Sequence, residues 1–153
     1  MKRVWWILPV LGSLWGAELQ VQCSGCSIGK EKLQCDYYVA QRGDRTRQEF
    51  CLTYAQYVDI DGAYPKAAWY YLLAGQPRKA EEAARKGLAQ GQEYGREYLA
   101  LALWLEGKRP EARKALERFL AAVPSHDYLV RDLEALTRLY PESGLEELAS
   151  GKP

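Results

Sequence analysis

Four cysteines, one histidine and a short aspartate run are the residues whose types and spacing could do chemistry. Cys23-Ser-Gly-Cys26 has the Cys-x-x-Cys spacing of thiol–disulfide exchangers, which need a low-pKa thiolate. Such enzymes place the pair at a strand-to-helix junction, and no strand pattern accompanies it here. With Cys35 and Cys51 the spacing is C-x2-C-x8-C-x15-C. It lacks the second close pair that a four-cysteine zinc site uses. Haem attachment needs a His directly after the second cysteine, and residue 27 is Ser27. Two disulfides remain the first reading, with three connectivities open.

His126, the single histidine, stands at a predicted helix start and reads as a solvated or capping side chain. Asp59-Ile-Asp61-Gly62 is similar to the opening of a calcium loop. The bidentate Glu that such a loop needs at its twelfth position is Tyr70 instead, so an ordinary turn is expected. Nothing resembles a glycine loop that cradles phosphate. The sequence therefore offers no catalytic constellation, no metal site and no cofactor. Cys23/Cys26 exchange is the one enzymatic alternative.

The N-terminus fixes the expected compartment. Lys2 and Arg3 precede an apolar stretch from Val4 to Trp15, followed by Gly16, Ala17 and the polar Glu18. This is the layout of a secretory signal peptide over residues 1–17, and the stretch is short for a transmembrane helix. Cleavage after Ala17 places bulky Trp15 three residues before the cut. An uncleaved anchor is therefore the alternative, and the only route to a membrane. Cys23 follows Val21-Gln22, which is no lipoprotein signal. A periplasmic or secreted location is expected. The chain carries 21 Lys+Arg against 20 Asp+Glu, and 19 against 20 once Lys2 and Arg3 are removed. A near-neutral chain has no field to recruit nucleic acid.

Residues 18–30 read as a cysteine-containing N-terminal segment. Beyond it the composition turns helix-forming, with Val, Ile and Thr sparse. Gly43, Gly75 and Gly107 recur every 32 residues, each between two helical stretches. Fixed self-similarity at this period signals stacked supersecondary units, with Gly supplying the left-handed residue after a helix. Pro77 and Pro110 follow two of the glycines, where a first helical turn tolerates them. In this frame Ala68 faces Ala80 and Ala100 faces Ala112, so helix axes approach closely. The first unit has Asp36 and Gln48 at those positions. The same frame sets Cys35 opposite Cys51. A bridge there closes a 16-residue loop and stabilises by about 3 kcal/mol on a chain-entropy model.

The series small residue, large residue, turn Gly, Ala, large residue, Pro is carried by Ala100, Leu103, Gly107, Ala112, Leu116 and Pro124. Ala68, Tyr71, Gly75 and Ala80 match its first part. These residues resemble the tetratricopeptide repeat over residues 29–124, a family whose usual period is slightly longer. The resemblance implies an all-α superhelical stack of three to four antiparallel hairpins behind a disulfide-stapled N-terminal segment. The repeats would occupy residues 31–124 and C-terminal capping helices residues 125–150. Ser125 or Asp127 caps a helix from Asp127 to Leu139, with Leu129, Leu133 and Leu136 along one face, and Pro141 ends it. A short helix over Leu145–Ala149 follows.

In tetratricopeptide arrays the first helices of successive units line a concave groove. Two columns would then point into it: Tyr37, Trp69 and Leu101, and Ala40, Leu72 and Trp104, with Tyr94 near the edge. The function so implied is capture of a protein or peptide partner on that face by a non-catalytic envelope module, with no small-molecule substrate. A structural subunit whose groove a neighbour fills permanently is a further possibility. Burial of Trp69 and Trp104 in the core is the competing expectation, and it is separable by their effect on stability.

Overall fold

A computed structural model describes residues 29–41 and 48–151. The expected signal segment, Cys23, Cys26 and Gly43 lie outside the described residues. Among the described residues there are eight helices and no strand. Helix α1 spans 29–40; α2 is Gln48–Ile60, α3 Tyr64–Leu73, α4 Pro77–Ala89, α5 Gly95–Leu105, α6 Arg109–Ala122, α7 Asp127–Leu139 and α8 Leu145–Ala149. Each of α2 to α6 packs against the next in order, so the chain folds as successive helical hairpins. α3 and α5, the first helices of two neighbouring hairpins, also lie against each other.

The 32-residue frame persists in the backbone. After α3 the Gln76 amide donates to the Tyr71 carbonyl; after α5 the Lys108 amide donates to the Leu103 carbonyl. These bonds wrap a helix end only if the residue between is left-handed, and Gly75 and Gly107 have φ of 73° and 83°. Pro77 and Pro110 sit in the first turns of α4 and α6. The frame also governs burial. Ala80, Ala83, Ala84 and Gly87 form the buried stripe of α4, and Ala112, Ala115, Leu116 and Phe119 form that of α6. The two sets correspond position by position, 32 residues apart.

The first hairpin follows the same frame. Cys35, Ala67 and Leu99 are equivalent and all buried, as are Cys51, Ala83 and Ala115. Cys35 and Cys51 form the expected disulfide, with Cα atoms 4.7 Å apart. The bridge stands where later units pack alanine or leucine, so it closes the hairpin that has Asp36 and Gln48 in place of small residues. Asp36 instead meets Lys32 at 2.6 Å and accepts from the Tyr70 hydroxyl at 3.3 Å. Burial raises the Tyr70 phenol well above its ordinary value, and the Asp36 charge adds to the shift.

Helices α2, α4 and α6 each bury one stripe, the pattern of a helix with one packed face. α3 and α5 differ. Six consecutive residues of α5, Leu99 to Trp104, are buried, and α3 buries Tyr70 to Leu73 without a break. A helix buried all round is covered all round, so something beyond the hairpin partners must lie over these two.

Candidate interaction face

The cover is the C-terminal hairpin. α7 packs on α3, and α8 packs on α5 and on α7. α7 and α8 have the expected bounds. The helix start has a different cap from the one expected, because neither Ser125 nor Asp127 caps it: His126 is the N-cap residue and makes no side-chain cap bond. Ser125 Oγ turns to the Asp127 carboxylate at 3.4 Å, and a His126 ring nitrogen lies 2.7 Å from the Val123 carbonyl. The His126 ring also stacks near Phe119, with centroids 5.8 Å apart. Leu129, Leu136 and Leu139 of α7 and Leu145 and Leu148 of α8 are buried. An aliphatic stripe of this length supplies most of the docking free energy, at about 25 cal/mol per Å² of apolar surface covered.

Directional bonds fix the hairpin's register. The Trp104 indole N–H donates to the Ser143 carbonyl at 2.9 Å. The Tyr140 hydroxyl donates to the Leu72 carbonyl at 2.7 Å, near the C-terminal end of α3, beside the Gly75 amide that donates to the same oxygen. Arg109 reaches Glu147 at 3.1 Å while its guanidinium lies 4.6 Å from the centre of the Trp104 ring, and Arg113 lies 5.5 Å from the same ring. Trp104 is thus bonded at its edge and covered on its surface by cations.

This arrangement decides where each expected groove residue stands. Leu72 and Leu101 have no exposed surface and Trp104 only 2%. They line the α3–α5 face under the C-terminal hairpin and present nothing to an external partner in this state. Trp69 is half-buried with its ring 6.1 Å from that of Tyr98. Tyr37 on α1 is 47% exposed and belongs to the far end of the array. Tyr94 is 40% exposed at the rim, its ring 6.1 Å from Phe119 and 6.3 Å from Tyr128 of α7. The columns therefore split: the inner positions are core beneath α7–α8, and the rim positions reach solvent.

One polar pair lies in this interface. Glu97 of α5 is the sole buried charged residue among the described core, and neither of its carboxyl oxygens meets an N–H or hydroxyl donor. Its neighbour is the Asp132 carboxyl of α7, which acts on it directly. Two carboxylates only accept, so a bond between them needs a proton on one. Burial, then Asp132, push the Glu97 carboxyl up to about 9. Burial also raises Asp132, while its bonds with Glu97 and the Tyr98 hydroxyl and the Arg131 charge act in the opposite direction. Glu97 is the member that holds the proton.

Two features escaped the sequence reading. The first is the Glu97–Asp132 pair. The second is a cleft of about 670 Å³ on the outer side of the hairpin, lined by Val130, Leu133, Thr137, Leu145 and Ala149. Leu133, expected along one face with Leu129 and Leu136, is half-buried against the core and also lines this cleft. The remaining candidates resolve simply. Asp59 accepts from the Tyr71 hydroxyl at 2.9 Å and meets Lys86 at 3.4 Å, a bracing role between α2, α3 and α4, and Gly62 beyond it turns with φ 84°. The Cys35–Cys51 sulfurs are fully buried and closed to exchange partners in the folded chain. Among the described residues no cluster of three His, Cys, Asp or Glu is placed to hold a metal, and no helix is long and apolar enough to cross a membrane.

No protein-family model matches the chain, and comparison with curated proteins and with solved structures returns no match.

Proposed function

We propose that the chain is a non-catalytic protein-interaction module of the extracytoplasmic space, built as a tetratricopeptide-like stack, and that its α3–α5 face is a receptor for an amphipathic helical segment. One observation carries the reading: that face already receives such a segment, α7–α8. It does so with a leucine stripe and with donors from Trp104 and Tyr140 that fix register. Helix-in-groove recognition uses the same elements, spaced apolar anchors plus a few polar contacts at the rim. A structural disulfide between Cys35 and Cys51 suits a periplasmic or secreted location, where such bonds persist. Disulfide exchange through Cys23 and Cys26 is the enzymatic alternative, and it rests on residues outside the described ones.

The test is exchange in trans. A labelled peptide of residues 125–151 is titrated into the full chain and into a chain ending at Pro124. Saturable binding to the shortened chain, and weaker binding to the full chain whose own hairpin competes, supports the receptor reading. A peptide carrying Leu136→Asp and Leu145→Asp should not bind. Absence of binding by a shortened chain that keeps its helical circular dichroism refutes the reading.

A further inference from the structure

We infer that α7–α8 is a releasable cover of the α3–α5 face, latched by a proton shared between Glu97 and Asp132 and freed when that proton is lost. Its significance for partner capture rests on the receptor reading above; the latch itself does not. The geometry has three parts. The hairpin is joined to α6 through 123–126, and α2 to α6 pack on one another in order, so its release leaves that packing in place. It covers the one face that the first helices would otherwise present to solvent. The interface also encloses a carboxyl from each side, the fully buried Glu97 of α5 and the half-buried Asp132 of α7, and both Glu97 oxygens and Asp132 Oδ2 are shut from solvent without a hydrogen-bond donor. The groups that act on this pair are Tyr98 of α5 and Arg131 of α7, and Tyr128 of α7 acts in turn on Tyr98. Tyr98 and Arg131 act on Asp132, so Glu97 is left without a compensating donor.

With the proton in place, Glu97 donates to Asp132 and the interface is neutral apart from one carboxylate. Without it, a buried and a half-buried carboxylate face each other and the hairpin is expelled. The sign follows from the raised Glu97 value. Undocked, Glu97 meets water and titrates near 4.5; docked, near 9. Between these limits the docked state holds the extra proton, so docking weakens as pH rises and the loss is complete above about 9. One proton changes the docking equilibrium by up to about tenfold per pH unit inside that window. Asp132, also raised, adds to the trend at its lower end.

Amide hydrogen exchange of the full oxidised chain tests this without any ligand. Exchange is read at about pH 5.5, 7 and 8.5 and corrected for the intrinsic chemical rate. The expected result is that α7 and α8 open about tenfold more often per pH unit, while α4 and α6 do not. Glu97→Gln supplies a permanent donor to Asp132 and should flatten the α7–α8 profile. Asp132→Asn removes the facing charge but leaves Glu97 buried, so it should make the profile shallower without flattening it, and serves if the first variant folds poorly. A flat profile in the natural chain overturns the proposal. So does a pH dependence of undiminished slope in both variants, or an equal rise in every helix. Failure of peptide binding in trans with the pH profile intact would sink the receptor reading and leave the latch standing.

Discussion

Trp104 is the residue on which the two readings of the α3–α5 face separate by measurement. On an open groove, Trp104→Ala would abolish capture and leave stability nearly unchanged. In the observed structure the side chain is 2% exposed, donates to the Ser143 carbonyl, and is covered by Arg109 and Arg113. Truncation to Ala loses the transfer free energy of the indole and leaves a cavity between α5 and the α7–α8 turn, about 3–5 kcal/mol for a buried aromatic. Trp104→Phe keeps much of the apolar volume and loses the indole donor. One hydrogen bond is worth about 1 kcal/mol net, and with the smaller ring the total is about 2 kcal/mol. Trp69→Ala, at a half-buried position with one ring neighbour, should cost less than either.

The assay is urea unfolding of the oxidised chain, followed both by far-UV circular dichroism and by exchange of α7 amides, because stacked hairpins need not unfold as one unit. A 4 kcal/mol loss corresponds to a fall in Tm of about 8–16 °C for a chain of this size. The α7 probes should respond at least as strongly as the global signal, since Trp104 holds the hairpin. A Trp104→Ala protein within about 1 kcal/mol of the natural chain, with α7 protection intact, would refute the burial argument.

Other perturbations test separate parts of the structure. Replacing Cys35 and Cys51 together by Ser should cost about 3 kcal/mol on the chain-entropy model, read as α1 amides losing protection while α4 to α6 keep theirs. Gly95→Ala places a methyl group 2.9 Å from the Ala84 carbonyl oxygen, where α4 and α5 approach most closely. Overpacking of that kind costs about 1–3 kcal/mol and should lower the urea midpoint. Gly107→Ala meets no neighbour within 4 Å but keeps φ at 83°, so its cost is the left-handed penalty alone, about 1–2 kcal/mol. Tyr140→Phe removes the hydroxyl that reaches the Leu72 carbonyl at 2.7 Å. It should raise α7–α8 opening by roughly fivefold, the equivalent of about 1 kcal/mol, without changing the exchange of α6.

The hairpins were legible because their information is local and periodic. A turn needing positive φ selects Gly, and close helix axes select Ala, so Gly75, Gly107, Ala80 and Ala112 mark their own positions. The same frame carried over to Cys35 and Cys51, whose bridge stands at positions filled later by Ala67 and Ala83. The return of α7–α8 onto α3 and α5 left a weaker trace. Its register bonds end on main-chain carbonyls, Ser143 for Trp104 and Leu72 for Tyr140, and a carbonyl has no side-chain identity to read. Glu97 and Asp132 escaped for another reason. Complementary charge is what sequence reasoning looks for across an interface, and two acids attract only through a proton that no sequence writes down. One signal was nevertheless present. Leu99 to Leu105 contains no polar residue, whereas an open groove helix needs one wetted side. A first helix apolar on every side, in a chain with one further leucine-striped hairpin to spend, already argued that the groove and the hairpin belong to each other.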